Sequence, residues 1–142
     1  MMRLHWSPKS PYVRKVMICA HELGVVDRLE LVRSVAAMLK PNARLMEDNP
    51  LSKIPTLVLD DGFTLFDSVV ICDYLNDLAG GTLFPRAGND KWQALRWHAF
   101  GDGFTWDSED LTNDRAHAAA GWAKAAELMQ AGEHQLVIFD EL

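Results

Sequence analysis

The fold is decided by the stretch NPLSKIPTLVLDDGFTLFDSVVICDYL, residues 49–75. Turn-forming residues at 49–53 lead into an apolar run at 54–59, which predicts a β-strand. The sequence Asp60-Asp61-Gly62 that follows is typical of a hairpin turn. Residues 64–66 are therefore expected to pair with the preceding strand in the antiparallel direction.

The same stretch carries two further signals. Pro55 stands at the start of the predicted strand and has no N–H to donate to a neighbouring strand, which makes it a special position. We predict a cis peptide bond between Ile54 and Pro55. Asp67-Ser68 precedes apolar residues at helical spacing, so the pair predicts the N-terminus of a helix that ends at the glycines 80–81.

The residues before this stretch predict a β-α-β half. Residues 3–6 form a short strand, and a helix follows over 12–23 with Ser10 as its N-cap. Residues 29–35 are expected to form a second strand, and residues 36–46 suit a short helix or a loop. The complete order is β-α-β-α-β-β-α, with a right-handed crossover in the first half.

Composition and charge narrow the class of function. The chain of 142 residues is 49% apolar and 24% charged, which is ordinary globular composition. Its formal net charge of -6 argues against nucleic acid as a partner, because phosphate binding needs a surplus of Lys and Arg on one face. The chain is long enough for one domain with a core, and too short for two full domains.

The sequence also bears on the location of the protein and on its cysteine chemistry. The sequence contains no signal-peptide-like apolar run and no apolar run long enough to span a membrane, so we expect a cytoplasmic protein without a membrane partner. Cys19 and Cys72 lie within apolar segments and lack metal-binding or CxxC spacing. Both are expected to be buried core residues, and no metal site is predicted.

Three segments of the sequence resemble successive signatures of bacterial glutathione S-transferases. They are SPKSPYVRKV at 7–16, NPLSKIPTL at 49–57 and FDSVVI at 66–71. The resemblance extends from residue 1 to about residue 100. It implies an α/β, thioredoxin-like domain of order β-α-β-α-β-β-α over residues 1–84, with glutathione as co-substrate and a homodimer as an expected assembly.

The resemblance also implies a role for the first motif. Ser10 stands where glutaredoxin-like relatives carry the first cysteine of C-P-Y-C, so Ser10 would donate a hydrogen bond to the glutathione sulfur and favour its thiolate. Serine forms no mixed disulfide, which favours attack on an electrophile over thiol-disulfide exchange. The competing hydroxyl is that of Ser7, and a purely structural role for Ser10 is that of helix cap.

The other two motifs would hold the rest of the tripeptide. The resemblance implies that Ile54, ahead of Pro55, pairs its backbone with the cysteinyl unit as an added strand would, and that Lys53 approaches a carboxylate. Ser68 and the helix N-terminus would bind the γ-glutamyl carboxylate, while Asp67 faces the ammonium group. The structural alternatives are a capped helix and a solvated lysine.

The C-terminal part of the sequence resembles a second family. Residues 83–85 resemble the linker of glutathione transferases, and residues 91–100 the first helix of their helical domain. The pattern then changes: residues from about 101 to 142 resemble a piece of cob(I)yrinic acid a,c-diamide adenosyltransferase, an ATP-dependent corrinoid enzyme. We hypothesise a hybrid or truncated chain, with a natural fusion as the alternative.

This second resemblance concerns three segments in particular. The segment 103–107 would lie near the corrinoid, a helix is expected over 114–131, and a strand-like segment at 135–142 ends in Asp140 and Glu141, which match acids that serve Mg²⁺ and ATP. The sequence contains no G-x-x-x-x-G-K-[ST] loop to hold a triphosphate, so adenosyltransferase activity is expected to be absent.

The sequence therefore favours a transferase-like protein that binds glutathione and activates its thiol for addition to a small electrophile. Residues 85–142 would hold the linker, the start of the helical domain and the fragment that resembles the adenosyltransferase. Because the expected helical domain is incomplete, activity should be impaired. The alternatives are a non-enzymatic glutathione-binding module and an inactive adenosyltransferase fragment.

Overall fold

A computed structural model describes residues 1–35, 41–81 and 83–99, together with residues 123, 126, 127 and 130. The chain divides into two compact units, Met1–Arg86 and Ala87–Leu142. Within the described residues, no helix combines the length and the apolar character needed to cross a membrane.

The first unit is built on a four-stranded sheet in the order β2-β1-β3-β4. The strands are β1 (Met2–Trp6), β2 (Leu29–Arg33), β3 (Thr56–Val58) and β4 (Thr64–Leu65). β1 pairs with β2 in parallel, while the β1–β3 and β3–β4 pairs are antiparallel. The predicted hairpin is therefore confirmed, and its turn carries Gly62 at a φ of 88°, a left-handed conformation that glycine adopts without steric cost.

Three α-helices accompany this sheet. They are α1 (Pro11–Glu22), α2 (Ala43–Asp48) and α3 (Ser68–Leu78), and a 3-10 turn lies at Val26–Arg28. A fourth helix, α4 (Gly88–Ala99), belongs to the second unit. The order β-α-β-α-β-β-α predicted for the N-terminal part is confirmed.

The apolar core of the first unit lies where α1 and α3 pack together. Its largest fully buried side chains include Leu4 and Leu57 from the central strands, Val13 and Val16 from α1, and Ile71 and Leu75 from α3. Cys19 and Cys72 are also buried here, as predicted. Each fully buried aliphatic side chain contributes roughly 1.5–3 kcal/mol, so this cluster supplies much of the stability.

A polar cluster joins the sheet to α2. His5 is 2% exposed, and its Nε2 atom lies 2.8 Å from Asp48 Oδ2 at the end of α2. Its Nδ1 atom lies 2.8 Å from the Ser34 Oγ atom just after β2. Because a buried polar group is costly unless it is hydrogen-bonded, this histidine holds β1, β2 and α2 together.

A second buried polar residue, Asn76, fastens the end of the first unit to α3. The Asn76 side chain is fully buried, and its Oδ1 atom accepts hydrogen bonds from the backbone N–H groups of Leu83 at 2.9 Å and Phe84 at 3.0 Å. Its Nδ2 atom donates to the Phe84 carbonyl oxygen at 3.0 Å. One amide therefore satisfies three backbone groups of the segment that leaves the domain.

Two predicted strands are shorter than expected, and their neighbours explain why. The second strand ends at Arg33, not Val35, because Arg33 pairs with Trp6, the last residue of β1. The third strand begins at Thr56, not Ile54, because Pro55 has no N–H and pairing starts with Thr56 opposite His5. The predicted bounds of both strands were wrong at these ends.

The remaining local predictions concern the second helix and the end of the hairpin. Of the segment 36–46, residues 36–40 lie outside the described part, and a helix begins at Ala43 after Asn42, whose side chain caps it at Leu45 N. The fourth strand ends at Leu65 rather than Phe66.

Several C-terminal predictions fall outside the described residues. These are the segments 103–107 and 135–142, with Asp140 and Glu141. After the predicted linker at 83–85 the chain forms α4, whose bounds agree with the helix predicted over 91–100 up to residue 99. Within the helix predicted over 114–131, the four described residues are helical.

We expect Asn76→Ala to destabilise the first unit by about 2–4 kcal/mol, because two N–H groups and one carbonyl lose their partner. Urea unfolding followed by circular dichroism measures this. The adjacent variant Asp77→Ala is the control, since it breaks only an exposed ion pair with Arg86 and should cost less than about 1 kcal/mol. Equal costs for the two variants would contradict the prediction.

Candidate functional site

The sheet register brings three separate chain segments to one edge of the sheet. β1 and β3 are antiparallel, with His5 opposite Thr56, so the end of β1 and the start of β3 share this edge. β4 is antiparallel to β3, with Leu65 opposite Leu57, so the chain leaves β4 at the same edge. The motifs at 7–16, 49–57 and 66–71 therefore converge there.

The first of these segments leads from β1 into α1. Ser10 is the N-cap of α1, and its Oγ atom accepts a hydrogen bond from Val13 N–H at 3.3 Å. A hydroxyl that accepts through one lone pair can still donate its own proton. Ser10 is half-buried, whereas Ser7 is 9% exposed and its Oγ atom accepts from Lys9 N–H at a longer 3.4 Å. Exposure therefore favours Ser10 as the hydroxyl that a ligand at this edge could reach.

The second segment is the loop that precedes β3. The Ile54–Pro55 peptide bond is cis, which confirms that prediction. Lys53 is exposed, Ile54 is half-buried and Pro55 is buried. The loop thus offers a lysine side chain and a stretch of backbone at the edge where Ser10 lies.

Sequence reasoning missed the residue that holds this loop. Asn49 is fully buried, and its Nδ2 atom donates to Thr56 Oγ1 at 2.9 Å and to the Lys53 carbonyl oxygen at 3.2 Å. Its Oδ1 atom accepts from Leu51 N–H at 2.9 Å. The sequence indicated only a turn here, since an Asn before a Pro is equally typical of a solvated loop.

The third segment leads from β4 into α3. Asp67 is the N-cap of α3, with its Oδ1 atom accepting from Val69 N–H at 3.0 Å and from the Ser68 hydroxyl at 3.1 Å. Asp67 is exposed, whereas Ser68 is 1% exposed. The Phe66–Asp67 peptide bond is also cis, which the sequence did not indicate.

Two helices begin at this edge, and both direct N–H groups towards it. Neither α1 nor α3 has an acidic residue within its first turn, although Asp67 caps α3. Helix N-termini carry partial positive charge and free N–H donors, so they favour anionic groups such as carboxylates and thiolates. The edge can therefore hold a ligand that carries negative charge at two places.

The two cysteines and Lys15 are not part of this edge. A hydrogen bond from Cys72 lowers the pKa of the Cys19 thiol below its ordinary value, and the Lys15 ammonium adds to this while burial opposes it. Lys15 is only 3% exposed, and its Nζ atom lies 5.9 Å from the centre of the Tyr12 ring. Within the part of the chain that the structure describes, no group of three His, Cys, Asp or Glu residues could hold a metal ion.

Two family models match the sequence. The N-terminal domain of glutathione S-transferases matches residues 9–78, which include the second and third segments at the sheet edge and residues 9–16 of the first. The ATP:corrinoid adenosyltransferase family, BtuR/CobO/CobP, matches residues 69–142. Both predicted resemblances are thus confirmed. The second match begins within α3, so both models cover residues 69–78.

Solved structures support the first family. A glutathione transferase family member from Pseudomonas fluorescens Pf-5, crystallised with bound glutathione, is 35% identical and superimposes with a TM-score of 0.78. The match covers 92% of this chain and 75% of that one. This likeness confirms the predicted α/β, thioredoxin-like fold class.

Curated relatives divide between the two families. The uncharacterized GST-like protein YibF of Escherichia coli is 29% identical over 103 residues, which cover 72% of this chain and 49% of YibF. A corrinoid adenosyltransferase of Pseudomonas aeruginosa is 40% identical over 50 residues, which cover 35% of this chain and 25% of that protein. The chain therefore spans about half or less of each of these two relatives.

The identity and coverage of the P. fluorescens match, together with the first family model over residues 9–78, establish the N-terminal assignment. The second model covers about half of the chain. The chain belongs to the glutathione S-transferase family, and its C-terminal part carries sequence of the ATP:corrinoid adenosyltransferase family.

Proposed function

We propose that this protein binds glutathione at the sheet edge and activates its thiol for addition to a small electrophile. The observation that carries the proposal is the register of β1, β3 and β4, which brings Ser10, Ile54 and Asp67 to the same edge. The P. fluorescens relative, crystallised with bound glutathione, supports the choice of ligand.

The proposed contacts divide the tripeptide among the three segments. Asp67 faces the γ-glutamyl ammonium group, while the N-terminus of α3 binds its carboxylate through backbone N–H groups that include that of Ser68. The Ser68 hydroxyl is buried and donates to Asp67. The backbone of Ile54, before the cis Pro55, pairs with the cysteinyl unit. Lys53 is exposed and approaches the glycyl carboxylate.

Ser10 would then set the chemistry. Its hydroxyl donates a hydrogen bond to the glutathione sulfur, and the N-terminus of α1 adds partial positive charge, so the thiolate is favoured at neutral pH. The thiol proton is released to solvent, and the thiolate attacks an electrophilic carbon. A C–S bond forms as either the carbon's bond to a leaving group or the π bond of an activated double bond breaks; in the second case the adduct takes up a proton from solvent. The electrophile is a small organic molecule, and a homodimer is the proposed assembly.

Replacing Asp67 with Asn tests the ligand directly. The Asp67→Asn variant keeps a side chain that caps helices well but removes the charge that faces the ammonium group. Because hydrogen bonds to charged groups contribute roughly 1.5–3 kcal/mol, the Kd for glutathione should rise by roughly 10- to 100-fold in calorimetric titration.

The matched control for this titration is Asp60→Asn, an exposed carboxylate on the hairpin turn at the opposite edge of the sheet. It changes the net charge equally and should leave the Kd within about twofold, since surface charges at this separation are largely screened. Absence of glutathione binding by the folded wild-type chain would contradict the proposal. Binding without conjugation of a chlorinated dinitrobenzene would leave a glutathione-binding module in place of a transferase.

Ser10→Ala and Ser7→Ala variants identify the hydroxyl that contacts sulfur. Loss of a donor to the thiolate destabilises the charged form, so the pKa of bound glutathione should rise by about 1–2 units in Ser10→Ala. It should be unchanged in Ser7→Ala. Thiolate absorbance of the glutathione complex, recorded against pH, measures both, and the reverse pattern would assign the role to Ser7.

A further inference from the structure

We infer that Asn49 is a positioning residue for glutathione recognition, acting through the backbone of Lys53 and Ile54. This inference rests on the proposed function. Asn49 itself is fully buried, so it would act on the ligand through the loop that it holds, with which the cysteinyl unit would pair. Thr56, the first residue of β3, is also fully buried and lies beside Asn49.

The Lys53 carbonyl oxygen is the centre of this arrangement. It accepts a hydrogen bond from Thr56 Oγ1 at 2.8 Å and another from Asn49 Nδ2 at 3.2 Å. Asn49 Nδ2 also donates to Thr56 Oγ1 at 2.9 Å, so the three groups form a closed triangle. A triangle of mutually satisfied buried groups fixes the direction of that carbonyl.

Fixing this carbonyl also fixes the N–H group of Ile54. The Lys53–Ile54 peptide is trans, and in a trans peptide the N–H points opposite to the carbonyl of the same planar unit. Because the Lys53 carbonyl points towards the buried Asn49 and Thr56, the Ile54 N–H points away from them. The Ile54 N–H is the donor that the cysteinyl unit would use if it pairs with this loop as an added strand.

The start of the loop is held by the other atom of the Asn49 amide. Asn49 Oδ1 accepts a hydrogen bond from Leu51 N–H at 2.9 Å. The backbone carbonyl oxygen of Asn49 accepts another from Ser52 N–H, also at 2.9 Å. Ser52 has a φ of 52°, a left-handed conformation that non-glycine residues adopt at a cost unless their surroundings impose it. Asn49 therefore supplies the surroundings that keep the loop in this conformation.

The residue type matters because the amide serves as donor and acceptor at once. In the variant Asn49→Asp, one carboxylate oxygen can still accept from Leu51 N–H. The other oxygen replaces the donor and faces the Lys53 carbonyl, where two acceptors repel each other. The variant is nearly isosteric, so it removes the fixed direction of the Lys53 carbonyl while leaving the volume unchanged.

The structure offers a matched control in Asn76. Asn76 is as buried as Asn49, and its amide likewise donates to one backbone carbonyl and accepts from backbone N–H groups. Its partners belong to the segment 83–84, away from the proposed ligand. Asn76→Asp therefore reproduces the general cost of a buried carboxylate without disturbing the Ile54 backbone.

The experiment is a calorimetric titration of the full chain with glutathione, with folding verified by circular dichroism. We expect Asn49→Asp to raise the Kd roughly tenfold or more, and Asn76→Asp to leave it within about twofold. Equal shifts in the two variants would overturn the inference, since both would then report only stability.

A second pair of variants applies if Asn49→Asp does not fold. Thr56→Val removes the hydroxyl that donates to the Lys53 carbonyl but keeps the shape, and it should raise the Kd roughly tenfold. Thr56→Ser restores the hydroxyl and should return the Kd to within about twofold of wild type.

A Thr56→Val chain that binds as the wild type does would overturn the inference while leaving the proposed function standing. Absence of binding by the wild type would overturn both, and that result is seen before any variant is compared.

Discussion

The first unit depends on one antiparallel pairing, that of β1 with β3. Leu4 and Leu57 face each other across it and are both fully buried, so this register joins the two central strands of the core. A shift of one residue would turn the apolar side chains to the other face of the sheet, which makes the register strongly specified. The position of Pro55 beside the end of β1, and hence the candidate site, follows from the same register.

Buried amides complete what the apolar core begins. Asn49 and Asn76 are each fully buried and each satisfies several backbone groups, one in the loop before β3 and the other in the segment after α3. Apolar packing is non-directional, whereas hydrogen bonds to a fixed amide impose direction. The sheet and helices thus place the edge segments, the Asn49 amide sets the orientation of the loop before β3, and the Asn76 amide fixes the segment after α3.

Local signals made most of the fold predictable. Ser10 before Pro11, and Asp67 before Ser68, mark helix starts by chemistry that acts within one turn, and both cap as expected. The burial of His5, Lys15 and Asn49 was not predictable, because it depends on partners that are brought close by tertiary packing. Strand ends were missed for the same reason, since the length of β2 is set by where its neighbour β1 stops. The candidate residues themselves came from the family resemblance, and local patterns alone indicated caps and turns at those positions.

The central claim is that three segments at one edge of the sheet form a single site for glutathione. Nitrogen–proton correlation spectra of the labelled chain, recorded during glutathione addition, test it most directly. We expect the amide signals of Val13, Ile54 and Val69 to shift, and those of Asp61 and Gly62 at the opposite edge to stay unchanged. Shifts confined to the opposite edge, or spectra of a folded chain that do not change, would contradict it.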